Sequence, residues 1–208
     1  MFVILKPEMS RCIDAFDPYL AEAGFTIEAR YPIFQWTLLA RQLYARQTRD
    51  QSFSNEFEVY LWITQSLFGN NALAYQINKE GDISNNLKDL MEAKKGFRKD
   101  ISQRLDSPLT FLVNLDKLDI TLPRTVGKMG ILKAGDAPLN GDDLNGRWDY
   151  FFFKYIHSSD NAKLYESENR ILKRNGVYDG PLTAEQWEKM KKTRTLIPLE
   201  SLGARQNE

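Results

Sequence analysis

Short apolar runs alternate with polar stretches along the first half of the chain, and they predict the strands of a sheet. Residues 2–5 form a continuous apolar run typical of a buried strand, which ends at Pro7 because proline lacks the N–H that a sheet needs. Lys6 is therefore expected at the C-terminal end of this strand. The β-branched and aromatic residues of 25–34 predict a second strand, and residues 72–77 predict a third.

Apolar residues at helical spacing predict the helices between these strands. Residues 13–23 favour a helix that either kinks at Pro18 or restarts there with Asp17 as its cap, and Gly24 ends it. A helix capped by Thr37 is expected to follow the second strand.

Two further helices are predicted on either side of the third strand. Before that strand, aromatic and aliphatic residues fall at helical spacing from Phe53 to Phe68. After it, a helix capped by Asp82 or Ser84 is expected to end at Gly96. Both segments are expected to bury one face against the sheet.

The pattern is weaker from residue 97 to residue 149, where Gly and Asn or Asp pairs predict turns. Residues 109–115 could add a strand within this stretch. A strand over residues 150–156 follows, and Asp160 is expected to cap a helix that extends to about Arg174.

The order of these elements predicts the fold class. Strand, helix, strand, two helices, strand, helix, insertion, strand and helix form the split β-α-β pair of a ferredoxin-like α+β fold with an antiparallel sheet. We therefore expect one domain over residues 1–174, interrupted by an insertion at residues 97–149. Residues 175–208 form a C-terminal extension with a short helix around Trp187 and a polar tail.

Composition and charge argue against several classes of function. The 208-residue chain is 42% hydrophobic, and its 28 Lys and Arg residues equal its 28 Asp and Glu residues. Zero net charge argues against partners held by bulk electrostatics, such as nucleic acid or an anionic membrane. One cysteine and one histidine exclude an internal disulfide and argue against a zinc site. The apolar start is too short for a signal peptide or a membrane span, which favours a cytoplasmic protein.

The only histidine, His157, is the strongest candidate for chemistry. A neutral imidazole is a good nucleophile towards phosphorus near neutral pH, since the ordinary pKa of histidine is about 6.5. It needs a partner on its other nitrogen to fix the tautomer, and Glu168 in the following helix could supply that carboxylate. From position alone, an ordinary core or surface histidine remains the commoner alternative.

Motifs at both ends of the chain resemble those of nucleoside diphosphate kinases. Residues 2–8, Phe-Val-Ile-Leu-Lys-Pro-Glu, are similar to the family's first strand, which ends in Lys-Pro-Asp. Residues 156–160, Ile-His-Ser-Ser-Asp, resemble its active-site signature, in which the histidine is followed by a small residue, Ser and Asp. Glu168 and Ser159 also stand at the family's spacing. The family-like order of elements covers about residues 1–96 and 147–174.

The resemblance implies a phosphotransferase that moves the γ-phosphate of a nucleoside triphosphate to a nucleoside diphosphate through a phosphohistidine at His157. It implies that Lys6 meets the transferring phosphate, that Tyr44 donates a hydrogen bond near it, and that Ser159 bonds Glu168. Mg²⁺ is expected to be held through the nucleotide phosphates rather than by the protein. A homo-oligomer, a dimer or larger, is also implied.

The resemblance further implies five nucleotide-binding positions: Phe53, Lys88, Lys94, Arg147 and Lys154. Phe53 matches an aromatic residue that stacks on the base, and Arg147 matches a phosphate-binding arginine, with Arg124 as a rival. Lys88 stands for a second arginine, which removes the bidentate fork while keeping the charge. Lys94 stands for a threonine, and Lys154 stands for an asparagine that bonds the ribose.

These departures and the long insertion leave two other functions open. The first is a catalytically weak or inactive nucleotide-binding regulatory module of the same fold, motivated by Lys88, Lys154 and the insertion. The second is a ferredoxin-like nucleic-acid binder, because the three phenylalanines of residues 151–153 would suit base stacking. Zero net charge and the lack of a basic stripe argue against the second.

Overall fold

The computed structural model describes residues 1–10, 13–49, 57–58, 60–62, 64–65, 68–103 and 155–193. The strand expected over residues 109–115 lies outside these ranges. Four residues expected to contact a nucleotide also lie outside them: Phe53, Arg124, Arg147 and Lys154.

Four strands form one antiparallel sheet in the order β2-β3-β1-β4. Their bounds are β1 Phe2–Leu5, β2 Thr26–Ile33, β3 Ala72–Asn78 and β4 Ile156–His157. The first three strands predicted from the sequence are thus confirmed. The fold class is α+β, and this strand order is compatible with the ferredoxin-like arrangement.

The helices lie on both faces of this sheet. Their bounds are α1 Asp17–Glu22, α2 Trp36–Leu43, α3 Ile83–Gln103, α4 Ala162–Arg174 and α5 Ala184–Thr193, and the described residues between 57 and 68 are also helical. Pro7–Met9 and Gln47–Arg49 form short 3₁₀ helices. Helix α1 packs on α3, α2 packs on α4, and α3 also contacts α4. No helix in the described part of the chain is long and apolar enough to cross a membrane.

Strand β1 is the centre of the core. It pairs with β3 on one side and with β4 on the other, and all four of its residues are buried. Successive strand residues point to opposite faces. On one face, the ring of Phe2 stacks on Tyr165 of α4. On the other face, Val3 lies opposite Tyr75 of β3, and the hydroxyl of Tyr75 donates to the carbonyl of Ile13.

Two helix starts differ from the sequence prediction because neighbouring asparagines supply the capping oxygens. Helix α2 begins at Trp36, and the backbone N–H of Thr37 donates to the side-chain oxygen of Asn70 at 2.9 Å, so Thr37 is not the cap. Helix α4 is capped by Asn161, whose side chain accepts from the N–H of Leu164 at 3.0 Å. The prediction that Asp160 caps α4 was therefore wrong.

Helix α1 follows the restart version of the prediction. Residues 13–16 form turns, and the helix begins at Asp17 with Pro18 in its first turn, where a missing N–H costs nothing. Asp17 does not cap the helix through its side chain; its carboxylate pairs with Arg30 of β2 at 2.7 Å. Gly24, with a φ of 80°, ends the segment in the left-handed region.

The prediction that Gly96 ends α3 was wrong, because the helix continues to Gln103. Gly96 lies where α3 crosses α1, and a Cβ at this position would sit 3.8 Å from the ring of Tyr19. That distance is ordinary van der Waals contact, so the position has room for a Cβ, and the glycine does not break the helix. The first residues of the proposed insertion therefore belong to α3.

The C-terminal extension covers the outer edge of β2. The N–H of Leu182 donates to the carbonyl of Arg30 at 2.7 Å, and the rings of Tyr178 and Tyr31 pack edge to face at 5.2 Å. The Arg30 guanidinium lies 4.1 Å from the ring centroid of Trp187. The backbone of an edge strand is open to pairing with another chain, and this extension occupies part of it.

Substitution of Gly96 by alanine tests the position of this residue inside a helix. Gly96→Ala should raise the free energy of unfolding by about 0.5–1 kcal/mol, because alanine is the better helix former and its Cβ has room beside Tyr19. Gly81→Ala is the matched control and should lower stability by about 1 kcal/mol or more, since Gly81 has a φ of 108°. Urea denaturation measures both, and destabilisation by Gly96→Ala would contradict the packing described.

Candidate active site around His157

His157 is placed by the pairing of β4 with β1. Its Cα lies opposite Ile4, and its side chain is 8% exposed on the sheet face that α2 and α4 cover. The ring of Phe2 stacks beside the imidazole at a centroid distance of 6.3 Å. A two-residue strand thus anchors the histidine backbone directly to the central strand of the sheet.

The backbone just before His157 is strained. Tyr155 has a φ of 30°, which among the described residues makes it the single non-glycine residue with positive φ. Its carbonyl accepts the N–H of Lys6 at 2.9 Å, which ties the end of β1 to the start of β4. Strained backbone concentrates at functional sites, where the surrounding structure holds it in place.

Glu168 fixes one nitrogen of the imidazole. His157 Nε2 lies 3.2 Å from Glu168 Oε2, and the hydroxyl of Ser159 donates to the same oxygen at 2.6 Å. A carboxylate only accepts hydrogen bonds, so the proton of a neutral imidazole lies on Nε2 in this arrangement. The lone pair of His157 is therefore on Nδ1.

The charge of Glu168 is maintained despite its burial. Burial acts to raise the pKa of this carboxyl, but the hydrogen bonds from His157 and Ser159 and the nearby charge of Lys94 outweigh it. The pKa of Glu168 is consequently lowered from its usual value. An ionised Glu168 stabilises any positive charge that develops on the imidazole.

Tyr44 faces the other nitrogen of the imidazole. Its hydroxyl lies 3.2 Å from His157 Nδ1, and its ring packs against Phe57 at 5.2 Å. Tyr44 is the residue that ends α2, so the helix terminus directs the hydroxyl into the site. With the proton on Nε2, the hydroxyl of Tyr44 donates to Nδ1.

Lys6 brings a buried positive charge to the same group. The residue is fully buried at the end of β1, and its Nζ lies 5.5 Å from the ring centroid of Tyr44 and 5.0 Å from that of Tyr60. Such distances give cation–π attraction, which is stronger for a desolvated ammonium. Lys6 and His157 therefore both lie beside the ring of Tyr44, whose centroid is 5.3 Å from that of the imidazole.

A second buried lysine lies beside the loop that follows the histidine. Lys94 of α3 donates to the hydroxyl of Ser158 at 2.7 Å, and both side chains are buried. The resemblance had singled out Lys94, but it gave no reason to expect a contact with Ser158. Only the packing of α3 against the loop after β4 reveals it.

Lys88 is not brought to the imidazole in the same way. It is exposed on α3, and its spacing of six positions from Lys94 places the two side chains about 120° apart around the helix. Two cavities, of about 540 and 520 Å³, lie elsewhere: one between α1 and α3, the other between the end of β2 and residues 175–180. Neither is lined by His157 or the residues bonded to it.

The arrangement has the parts that a nucleophilic histidine requires. Its tautomer is fixed by a carboxylate, its free nitrogen faces a hydroxyl donor, and buried cations stand near enough to attract an anion. Ser158 and Glu8, which complete the polar group, were not identified as site residues from the sequence. The position of Glu8 directly after Lys6-Pro7 was the available signal.

Comparisons with known proteins found no family model, no curated protein and no solved structure that matches the chain.

The lowered pKa of Glu168 predicts a pH-dependent contribution to stability. A carboxyl with a lowered folded-state pKa stabilises the fold above its unfolded value, here 4.5, and loses that contribution as the pH falls through the folded value. Glu168→Gln should cost about 1–3 kcal/mol of unfolding free energy at pH 7. The difference from the unchanged protein should shrink in acid.

Denaturant unfolding of both proteins between neutral pH and about pH 3 measures this effect. Glu166→Gln is the matched control, because Glu166 is exposed on the same helix. Its effect should stay within about 0.5 kcal/mol. A Glu168→Gln deficit of equal size at every pH would show that the carboxylate is not stabilised in the fold.

Proposed function

We propose that the chain is a nucleoside diphosphate kinase-like phosphotransferase with a ferredoxin-like fold, working in the cytoplasm. The observation that carries the proposal is the line Glu168–His157–Tyr44, with distances of 3.2 Å on each side of the imidazole. It directs the lone pair of Nδ1 towards the hydroxyl of Tyr44, and the Nζ of Lys6 lies 5.5 Å from the centroid of the same tyrosine ring. The motifs at residues 2–8 and 156–160 support the same activity.

In the first half-reaction, His157 Nδ1 attacks the γ-phosphorus of a nucleoside triphosphate. The N–P bond forms while the bond from phosphorus to the β,γ-bridging oxygen breaks, and its electron pair leaves with the nucleoside diphosphate. The Nε2 proton stays in place, so the imidazole becomes positively charged and Glu168 balances that charge. The Tyr44 hydroxyl, which donates to Nδ1 in the empty site, turns its hydrogen bond to a phosphate oxygen.

In the second half-reaction, a different nucleoside diphosphate attacks the phosphohistidine and leaves as a triphosphate. Such transfers need in-line placement and charge neutralisation more than covalent assistance. Lys6 supplies a fixed positive charge for the transferring group. Mg²⁺ enters as part of the nucleotide substrate, bound to its phosphates.

The nucleotide itself would be held by residues around this centre. Phe53 would stack on the base, Lys154 would contact the ribose, and Arg147 or Arg124 would bind the remaining phosphates. Lys94 fits as a fixed charge near the loop after β4, because it is buried and bonded to Ser158. Lys88 would have to reach the phosphates from the exposed side of α3.

A second candidate function is a nucleotide-binding regulatory module with little or no turnover. The exposed position of Lys88 favours this alternative, because a lysine that lies away from the imidazole does not neutralise the outer phosphates there. The replacement of asparagine by Lys154 favours it as well. In this alternative the chain binds the nucleotide and His157 is not phosphorylated.

Labelling with γ-³²P ATP and Mg²⁺, without an acceptor, separates the two functions. The phosphotransferase should incorporate one label per chain, and the label should be lost in acid and survive base, as a phosphorus–nitrogen bond requires. Addition of a nucleoside diphosphate should remove it as labelled triphosphate, because both half-reactions share one intermediate. Binding without a label would support the regulatory module.

Variants assign the roles in the same assay. His157→Ala should abolish the label while nucleotide binding persists. Lys6→Met keeps the side-chain volume without the charge and should slow labelling about 100-fold or more. Glu168→Gln should slow it less, since the amide still accepts a hydrogen bond. A label that persists in His157→Ala would show that another residue is the nucleophile.

Assembly into a homo-oligomer is part of the same proposal. In the family that the motifs resemble, the first strand and the following helix form a dimer contact; here β1 is buried in the middle of the sheet, so α1 is the part of that contact that a second chain could reach. Light scattering at micromolar concentration should give at least twice the mass of the 24.1 kDa chain. A strictly monomeric mass would overturn this part of the proposal.

A further inference from the structure

Two oppositely charged residues, two positions apart, are fully buried at the end of β1. Lys6 and Glu8 flank Pro7, and both side chains have no exposed surface. Pro7 begins the short 3₁₀ helix Pro7–Met9, which turns the chain so that Glu8 points into the interior. The mechanism above uses Lys6 and leaves Glu8 without a role.

Neither carboxylate oxygen of Glu8 accepts a well-formed hydrogen bond from a described residue. An ionised carboxylate in such a position is costly, since burial removes its hydration. The backbone N–H of Glu8 and the hydroxyl of Tyr60 also act to lower the pKa of Glu8, but each does so less than the charge of Lys6. The compensation that remains for this carboxylate is largely the charge of Lys6.

Among the described residues, the titratable groups that act on Glu8 are few. Lys6 follows the end of β1, Tyr60 is one of the helical residues between 57 and 68, and Tyr44 at the end of α2 acts in turn on Tyr60. Strand β3 also packs on the 3₁₀ helix. The titratable residue of β3 is Tyr75, whose hydroxyl donates to the backbone carbonyl of Ile13. Burial raises the pKa of Tyr60 well above its usual range, so that hydroxyl keeps its proton.

Burial raises the pKa of Glu8 from 4.5 to about 7, and the charge of Lys6 limits the rise. At neutral pH the carboxyl of Glu8 is therefore close to the midpoint between its protonated and ionised forms. The positive charge of Lys6 favours the ionised form. A phosphate that reaches Lys6 brings negative charge towards Glu8 and cancels that field. The ionised carboxylate would then be the most costly group in the site.

We infer that Glu8 is a positioning residue for phosphate binding: it balances the buried charge of Lys6 while the site is empty and takes up a proton when a nucleotide phosphate replaces it. This inference rests on the proposed function, because it requires a phosphate at Lys6. The proton comes from solvent, and no covalent bond changes. The site thus exchanges one counter-charge for another instead of burying an unpaired ammonium.

The exchange gives nucleotide binding a defined pH dependence. The bound state holds more protons than the empty state, so affinity falls as the pH rises above the free-state value of about 7. Linkage to a single proton limits the fall to about tenfold per pH unit. Glu8→Gln carries no titratable group at this position, and its affinity should change about twofold or less over the same range.

Addition of Mg²⁺-ADP to the full chain at pH 7.5 tests the inference directly, because a diphosphate binds without transferring a phosphoryl group. Infrared difference spectra should show a protonated carboxyl band on binding, with proton uptake recorded in weakly buffered solution. Both signals should be lost in Glu8→Gln. Both should persist in the control Glu80→Gln, because Glu80 is exposed.

Three outcomes are distinguishable. Binding with uptake that depends on Glu8 supports the inference, whereas binding with equal uptake in Glu8→Gln overturns it and leaves the proposed function intact. Failure of the unchanged chain to bind Mg²⁺-ADP overturns the proposed function and this inference together. If Glu8→Gln does not fold, the unchanged chain and Glu8→Asp are both made with ¹³C-labelled glutamate. The carboxyl band is then isotope-shifted in the unchanged chain and unshifted in Glu8→Asp if it belongs to position 8. A band that stays shifted in Glu8→Asp overturns the inference.

Discussion

The pairing of β1 with a neighbour on each side is the interaction on which the rest of the structure depends. Because β1 is central, its hydrogen bonds to β4 hold His157 opposite Ile4, and the carbonyl of Tyr155 holds the backbone of Lys6. The two ends of the sequence that carry the chemistry are therefore joined by main-chain bonds, which do not depend on side-chain identity. The helices then add Tyr44 and Glu168 from the face above.

Buried charge is balanced locally around the imidazole. Two lysines and two glutamates are buried in this region, namely Lys6, Lys94, Glu8 and Glu168. Glu168 is satisfied by hydrogen bonds, whereas Glu8 depends on the field of Lys6. Unpaired buried charges cost several kcal/mol, so the proposed phosphate site would need a counter-charge for its lysines when no phosphate is bound. A neutralisable carboxyl meets that need and a permanent ion pair does not.

The C-terminal extension binds the sheet at its outer strand, far from the imidazole. Arg30 of β2 lies between the carboxylate of Asp17 and the ring of Trp187, so α1, β2 and the extension share one charged group. The backbone bond from Leu182 to Arg30 occupies a group that an edge strand would otherwise offer to a second chain. An oligomer of this protein must therefore either use another surface or pair beside the extension.

The sequence by itself determined the elements whose signals are local. The apolar run of residues 2–5 and the first-turn proline of α1 could both be predicted, because each depends on neighbours along the chain. The strand expected over residues 150–156 was predicted to end before His157, whereas His157 itself belongs to β4. The resemblance of two short motifs identified Tyr44 and Glu168 as candidates. Only the tertiary structure decided which oxygens cap α2 and α4, that α3 continues through Gly96, that Lys94 reaches Ser158 and that Glu8 is buried beside Lys6. These depend on residues distant in sequence, because the energy of a buried polar group is set by what packs around it and not by its neighbours along the chain.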